Sequence, residues 1–420
     1  MKLPQGFWKG FGPGLLWAAA AIGVSHLVQS TRAGAMGGFA LIGVVVMALI
    51  LKYPFFEFGP RYASATGWSL VEGYRRIGRW ALWLFFVLMI GSSVIVQAAI
   101  VLFTAFLLQY ILGFDWPLLV YGLIVMVACS ALLAIGRYRV LDATIKVVLV
   151  LLAISTLWAA ILVLPRADWS TAALWPSMGA GGTVSLAFVL ALAGWMPSAL
   201  DIAVWNSLWT LAKDRSVSTQ ASVATATLDF QVGYFGTAIL AFSFLLLGAG
   251  VMHGAGLEFS AQGPAFSVQL IDLYGSTLGE WMRPVVLIAV FATMFSTALT
   301  VIDGYPRALD RCAQNLDALS ELPGRQTPVS RFYWISMGFL VITTCVIMLR
   351  FLGSLTAMVD FATIFTFITA PILGYLNLRA VTSDDVAPEH RPGPGLIALS
   401  YVGLILLGGT AVVFIVTRVA

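Results

Sequence analysis

Apolar residues gather in eleven long runs, at about 13–35, 38–58, 80–110, 117–136, 143–164, 183–211, 228–251, 284–303, 332–350, 355–378 and 395–417. Each comes near or above the roughly 20 residues that an α-helix needs to cross a bilayer core. Polar or Pro/Gly-rich segments separate them, the longest at about 165–182, 252–283 and 305–330. The pattern predicts an all-α membrane protein in which residues 1–420 form one integrated domain. Of the connections, 264–278 is amphipathic, and 63–74 is expected to form a further surface helix.

Two runs differ from the rest. The first opens Gly12-Pro13-Gly14 and carries Gly23-Val24-Ser25-His26 at its middle. The sixth carries Gly194-Trp195-Met196-Pro197-Ser198 at its middle. Proline removes a helical hydrogen bond and crowds the preceding turn, and glycine weakens a helix by about 1 kcal/mol. In hydrocarbon the freed main-chain groups need partners within the protein or a wet cavity. Runs one and six hold corresponding places in two sets of five. An odd number per set makes the two sets inverted: a first repeat at about 13–164 and a second at about 183–378, followed by an extra helix at 395–417. Interrupted helices at equivalent places of inverted repeats point to a transporter's central site.

Charge placement orients the chain. Eighteen of the 23 Lys and Arg fall on one side if the N-terminus is inside, among them Lys2, Lys9, Lys52, Arg61, Arg75, Arg76, Arg79, Arg137 and Arg325. Arg32, Arg166, Arg283, Arg350 and Arg418 fall on the other. The bias places the N-terminus in the cytoplasm and the C-terminus outside, in a plasma or bacterial inner membrane. Only 10% of residues are charged and 60% are hydrophobic, where a soluble domain has about a quarter charged. The net charge of +4 resides in alternate loops, so the lipid bilayer is the expected partner, with no nucleic acid. The three cysteines, Cys129, Cys312 and Cys345, are scattered and form no metal or disulfide framework. No hydrolase or nucleotide-binding motif occurs. With three histidines and no such motif, the chain does not read as an enzyme.

Ionisable residues inside membrane spans are functional candidates. His26 lies at the first break and is a candidate for substrate contact or proton coupling. Asp201 lies three residues after Ser198 and four after Pro197, so it shares their helix face. Asp229, Asp303 and Asp360 are weaker candidates. Glu57 precedes Arg61 by four residues, the spacing of an intrahelical pair. Trp195 is placed to wall a cavity, and Trp205 to pack.

The residues Gly12-Pro13-Gly14, Ala33-Gly34-Ala35, Gly38-Phe39-Ala40-Leu41, and Arg61 through Thr66-Gly67, then Ala193 and Met196-Pro197, resemble in order and spacing the NRAMP family of divalent-metal transporters. The resemblance implies a LeuT-type inverted-repeat fold plus an eleventh helix, and alternating access around a midplane site. The chain departs from the family at the chemistry. The family's first-helix Asp-Pro-Gly-Asn, whose Asp and Asn bind metal, is replaced by Gly23-Val24-Ser25-His26. Two sixth-helix histidines associated with proton movement are Ser198 and Ala203 here. Of the family's metal-contacting positions, Met196 and the Ala193 carbonyl remain.

Burying an ion in a low-dielectric interior costs of order 20 kcal/mol in the idealised limit, and Mn²⁺ favours oxygen ligands. A site made of Gly23, Ser25, His26, Ala193, Gly194, Trp195, Met196 and Ser198 has no fixed negative charge. The expected substrate is therefore a small polar organic solute, held by main-chain amides at the breaks. One alternative is a divalent or softer metal ion on His26, Met196 and perhaps Asp201; another is a non-transporting receptor or scaffold. No cofactor is expected. Coupling to H⁺ or Na⁺ has the candidates His26, Asp201, Ser296, Thr297 and Thr300, the last three because a superfamily sodium site pairs eighth-helix hydroxyls with first-helix carbonyls.

Overall fold

The computed structural model describes residues 11–135, 138–166, 169–171, 184–317 and 330–419, and among them there is no β-strand. Lys2, Lys9, Arg137, Arg325 and most of the 165–182 connection lie outside the described residues. Among the described residues, eight helices are long and apolar enough to cross a membrane: 42–66, 79–112, 118–135, 223–252, 282–316, 331–351, 355–381 and 394–417. Helix Tyr138–Val163 adds a fifth span in chain order. The first and sixth spans are each split in two, so that neither half is long enough alone. This makes eleven spans, as the apolar runs predict.

The spans are apolar on nearly every side because their outer faces meet lipid. Ile405 is 70% exposed and Ile342 66%, which only a hydrocarbon surround tolerates in such numbers. Serines start several spans: Ser185, Ser222, Ser330 and Ser354 each accept a first-turn amide through the side chain, replacing partners the helix cannot supply. The third and eighth spans, Arg79–Leu112 and Met282–Asp317, pack along each other at the centre.

Glycine lets broken spans touch their neighbours' main chains. A Cβ on Gly34 would lie 2.0 Å from the Leu245 carbonyl oxygen, and one on Gly248 would lie 2.1 Å from that of Thr31. The first and seventh spans therefore meet backbone to backbone. The start of the first span is held by Asp229, whose carboxylate accepts from the Gly12 and Gly14 amides at 3.0 and 2.6 Å. Anions suit a helix N-terminus.

Two connections bear on the sequence reading. The 264–278 stretch is helix Gly263–Leu278, with Phe266, Leu270 and Tyr274 turned inward. The 63–74 segment is not a surface helix. Residues to Thr66 continue the second span, and the separate helix Leu70–Ile77 is buried from Leu70 to Tyr74. Its Glu72 is fully buried because Arg311 pairs with it at 2.5 Å and Asn315 donates to it at 2.8 Å. A buried carboxylate is stable only with such partners.

Candidate functional site

The breaks differ in length. The first span runs as helix Pro13–Ala21, bends at Ile22 and Gly23, and resumes through a π-helical turn, Ser25–Ser30, into Thr31–Gly37. The sixth runs as Leu186–Gly194, opens over 195–201, and resumes as Ile202–Val217. Between the breaks lies a cavity of about 30 Å³, lined by Gly23, Val24, Ser25, Trp195, Ser198, Asp201, Trp205 and Thr297, with Val96, Ile100 and Val301 among its apolar walls. That volume suits about two waters.

Asp201 is the only acid among the described residues that line the cavity. Its Oδ2 accepts from Ser92 Oγ at 2.7 Å and from Tyr305 OH at 2.5 Å. Its Oδ1 has no hydrogen-bond partner, and neither has the indole N–H of Trp195 or of Trp205. All three residues are buried. Three residues that line the cavity thus carry one unmatched acceptor and two unmatched donors. Buried polar atoms are rarely left unpaired unless something else pairs with them.

At the first break, Thr297 Oγ1 lies 3.0, 3.3 and 3.4 Å from the carbonyl oxygens of Thr293, Ile22 and Ala19. One hydroxyl hydrogen serves one of these oxygens at a time. Ser296 and Thr300 do not join them: Thr300 Oγ1 donates to the Ser296 carbonyl along its own helix, and neither residue lines the cavity.

The second break is served by a side chain that the charge reading placed at the cytoplasmic end of the second span. Lys52 is instead fully buried, ten residues into helix Ile42–Thr66. At about 1.5 Å per residue that is about 15 Å from the helix start, near the middle of a 30 Å hydrocarbon core. Its Nζ donates to the carbonyl oxygens of Ala193, Gly194 and Ser198 at 3.2, 2.8 and 2.7 Å. The Ala193 carbonyl, which the family resemblance implied as a metal contact, therefore holds an ammonium.

The structure gathers Gly23, Ser25, Trp195, Ser198, Asp201 and Thr297 at the cavity. It does not bring His26, Ala193, Gly194 or Met196 there. The His26 ring sits between Ser25 Oγ, 2.7 Å from Nδ1, and the Thr237 carbonyl, 3.0 Å from Nε2. Met196 is fully buried beside a cis Met196–Pro197 bond. Gly194 packs so that a Cβ would lie 2.0 Å from the Thr363 carbonyl oxygen. Among the described residues no group of three or more His, Cys, Asp or Glu gathers closely enough to hold a metal ion.

Sequence reasoning missed Lys52, Ser92 and Tyr305 and assigned Trp205 to packing. The signal for Lys52 was present, since a lone charge inside an apolar run is expensive unless it is paired. Nothing in the sequence signalled Ser92 or Tyr305, which meet Asp201 from distant spans.

Three ion pairs account for other charged candidates. Arg32, just after the first break, pairs with Asp360 of the tenth span at 2.7 Å and with the Gln29 side chain at 2.9 Å. Its guanidinium lies 4.8 Å from the centre of the Phe188 ring. Glu57 pairs with Arg61 at 2.6 Å, the spacing the sequence suggested, and Arg61 also donates to the His390 carbonyl. Asp303 binds Arg307 at 2.7 Å and Tyr333 OH at 2.7 Å, so it belongs to the bundle and not to the cavity.

A helical membrane bundle with two facing helix breaks around a midplane cavity is the architecture of a secondary transporter. The chain belongs to the Nramp family: residues 14–417 match the natural resistance-associated macrophage protein-like description. An uncharacterized protein of Pasteurella multocida (strain Pm70), PM0681, is 37% identical over 412 residues, 96% of this chain and 91% of that one. Among solved structures, a variant of the Eremococcus coleocola manganese transporter aligns with a TM-score of 0.76 at 16% identity, over 100% of this chain and 89% of that one. MhsT in complex with L-phenylalanine aligns with a TM-score of 0.57 at 15% identity, over 96% of this chain and 97% of that one. The nucleobase-cation-symport-1 family transporter MHP1 with bound bromovinylhydantoin aligns equally well, at 14% identity over 96% and 89%. The fold is the LeuT-type all-α fold, and the protein is a multi-pass membrane transporter and not an enzyme.

Proposed function

We propose that this transporter works by alternating access and carries a small polar organic solute bearing both an N–H donor and an oxygen acceptor. The observation that supports it is that three residues lining the cavity each carry an unmatched polar atom: Asp201 Oδ1 and the indole N–H groups of Trp195 and Trp205. A carboxylate oxygen calls for an ammonium or amide N–H, and an indole N–H calls for a carboxylate or carbonyl oxygen. An amino acid or a similar amphoteric solute supplies both. MhsT and MHP1 show that this fold holds organic ligands. The Lys/Arg bias, one residue weaker without Lys52, supports a cytoplasmic N-terminus.

Na⁺ is the coupling ion in this reading. The carbonyls of Ala19, Ile22 and Thr293 around the Thr297 hydroxyl are hard, uncharged oxygens of the kind an alkali ion accepts. Asp201 leaves open a second reading, a divalent metal as cargo, because carboxylate oxygen suits Mn²⁺.

Uptake by proteoliposomes distinguishes the two readings. Saturable, Na⁺-dependent uptake of an amino acid or small amine supports the proposal. Asp201→Asn should lower that uptake about 10- to 100-fold, the worth of one charged hydrogen bond. Saturable Mn²⁺ uptake by the wild type, without uptake or counterflow of any organic solute, overturns it.

A further inference from the structure

We propose that the carbonyl cup at the sixth-span break is a monovalent-cation site that the chain fills with its own cation, the Lys52 ammonium. Helix breaks within a bilayer release carbonyl oxygens, and converging carbonyls can replace the hydration shell of an alkali ion. Here the oxygens of Ala193, Gly194 and Ser198 surround one point at 2.7–3.2 Å, and that point is Nζ. The match is complete in number: an ammonium has three hydrogens, and each has one carbonyl. It is also complete in burial, because Lys52 has no exposed surface. The Phe56 ring, 5.6 Å from Nζ, adds an aromatic face to the same charge.

The chemistry separates this site from the first break. There an uncharged hydroxyl touches three carbonyls and can give way to an ion. Here the cation is covalently tethered to the second span and cannot leave with a substrate. The Lys52 charge therefore fastens the second span to the broken sixth throughout the transport cycle. It also places the Lys52 side chain next to Ser198, on the wall of the central cavity. The assignment holds whichever solute the cavity carries, and its test requires no transport.

The test removes the tether and supplies a free cation. Purified full-length Lys52→Ala is melted in detergent with KCl, ethylammonium chloride or, at equal ionic strength, N-methylglucamine chloride, whose cation is too large for the cup. The expected result is a melting temperature well below wild type that K⁺ or ethylammonium raises saturably by at least half of the loss, while wild type responds alike to all three salts. A Lys52→Ala protein that melts as wild type does, or that K⁺ and ethylammonium raise no more than N-methylglucamine does, overturns the assignment. If Lys52→Ala does not accumulate in membranes, Lys52→Met decides, since it keeps the length of the stem without the charge. Loss or lowered melting of Lys52→Met upholds the charged site; accumulation and melting equal to wild type overturn it.

Discussion

The two helix breaks meet the same requirement by different means. Both leave main-chain carbonyls without helical partners in the middle of a membrane, where each unpaired group is costly. At the first break the span bends over two residues, and the hydroxyls of Thr297 and Ser25 reach the oxygens of Ala19, Ile22 and Ala21. At the sixth the gap extends over 195–201, and a charged side chain from another span binds three oxygens at once. A hydroxyl contact is weak and exchangeable, whereas a saturated ammonium is neither. In the proposed reading the first break serves reversible binding and the sixth permanent assembly.

That contrast can be broken in order of severity. Lys52→Ala should cost the most, about 3–5 kcal/mol of unfolding free energy, because it leaves three buried carbonyls unpaired at about 1–3 kcal/mol each before relaxation. Chemical denaturation of the purified protein reads that loss. Gly194→Val should cost about 3 kcal/mol, the upper end for overpacking, since its Cβ would meet the Thr363 main chain at 2.0 Å. The same denaturation series reads it, and a loss under about 1 kcal/mol shows that the sixth break is not fixed against the tenth span. Thr297→Val should cost only about 1 kcal/mol, as one shared hydroxyl is lost. Its larger signature is functional, with Na⁺ no longer stimulating uptake. A Thr297→Val loss equal to that of Lys52→Ala erases the contrast between the breaks.

The smallest effect is expected at the rim. Arg32→Gln loosens a partly exposed pair with Asp360, worth about 1 kcal/mol. The open form should then be about fivefold more populated. The readout is the rate of alkylation of a Gly23→Cys probe in a chain with Cys129, Cys312 and Cys345 replaced. An unchanged rate means the pair does not hold the closed form.

Much of the architecture was legible in the sequence. Run length is a direct record of bilayer thickness, so eleven runs gave eleven spans, and Pro197 and Gly23 marked both breaks. Asp201 was legible through its spacing from Ser198. The helix Leu70–Ile77 was misjudged as surface because Glu72 and its basic neighbours look solvated in one dimension. Only the fold shows that Arg311 and Asn315, more than 200 residues away, neutralise Glu72 inside the protein. His26 was overvalued for the same reason, since position at a break does not say which way a ring turns, and Thr237 decides that.

The sequence by itself determined the solvent, the number of spans and where two of them break. Those follow from local composition: a span is apolar for about 20 residues, and Pro or Gly interrupts it wherever it stands. Tertiary structure decided which groups satisfy the broken backbone. Lys52 reads as an end-of-helix cation until the second span crosses the sixth and brings Nζ onto three carbonyls. Asp201 reads as one more acid until Ser92 and Tyr305 occupy one oxygen and leave the other unpaired. Hydrogen bonds act at about 3 Å between atoms far apart in the chain, so the assignment of partners, and with it the character of each break, exists only once the spans are packed.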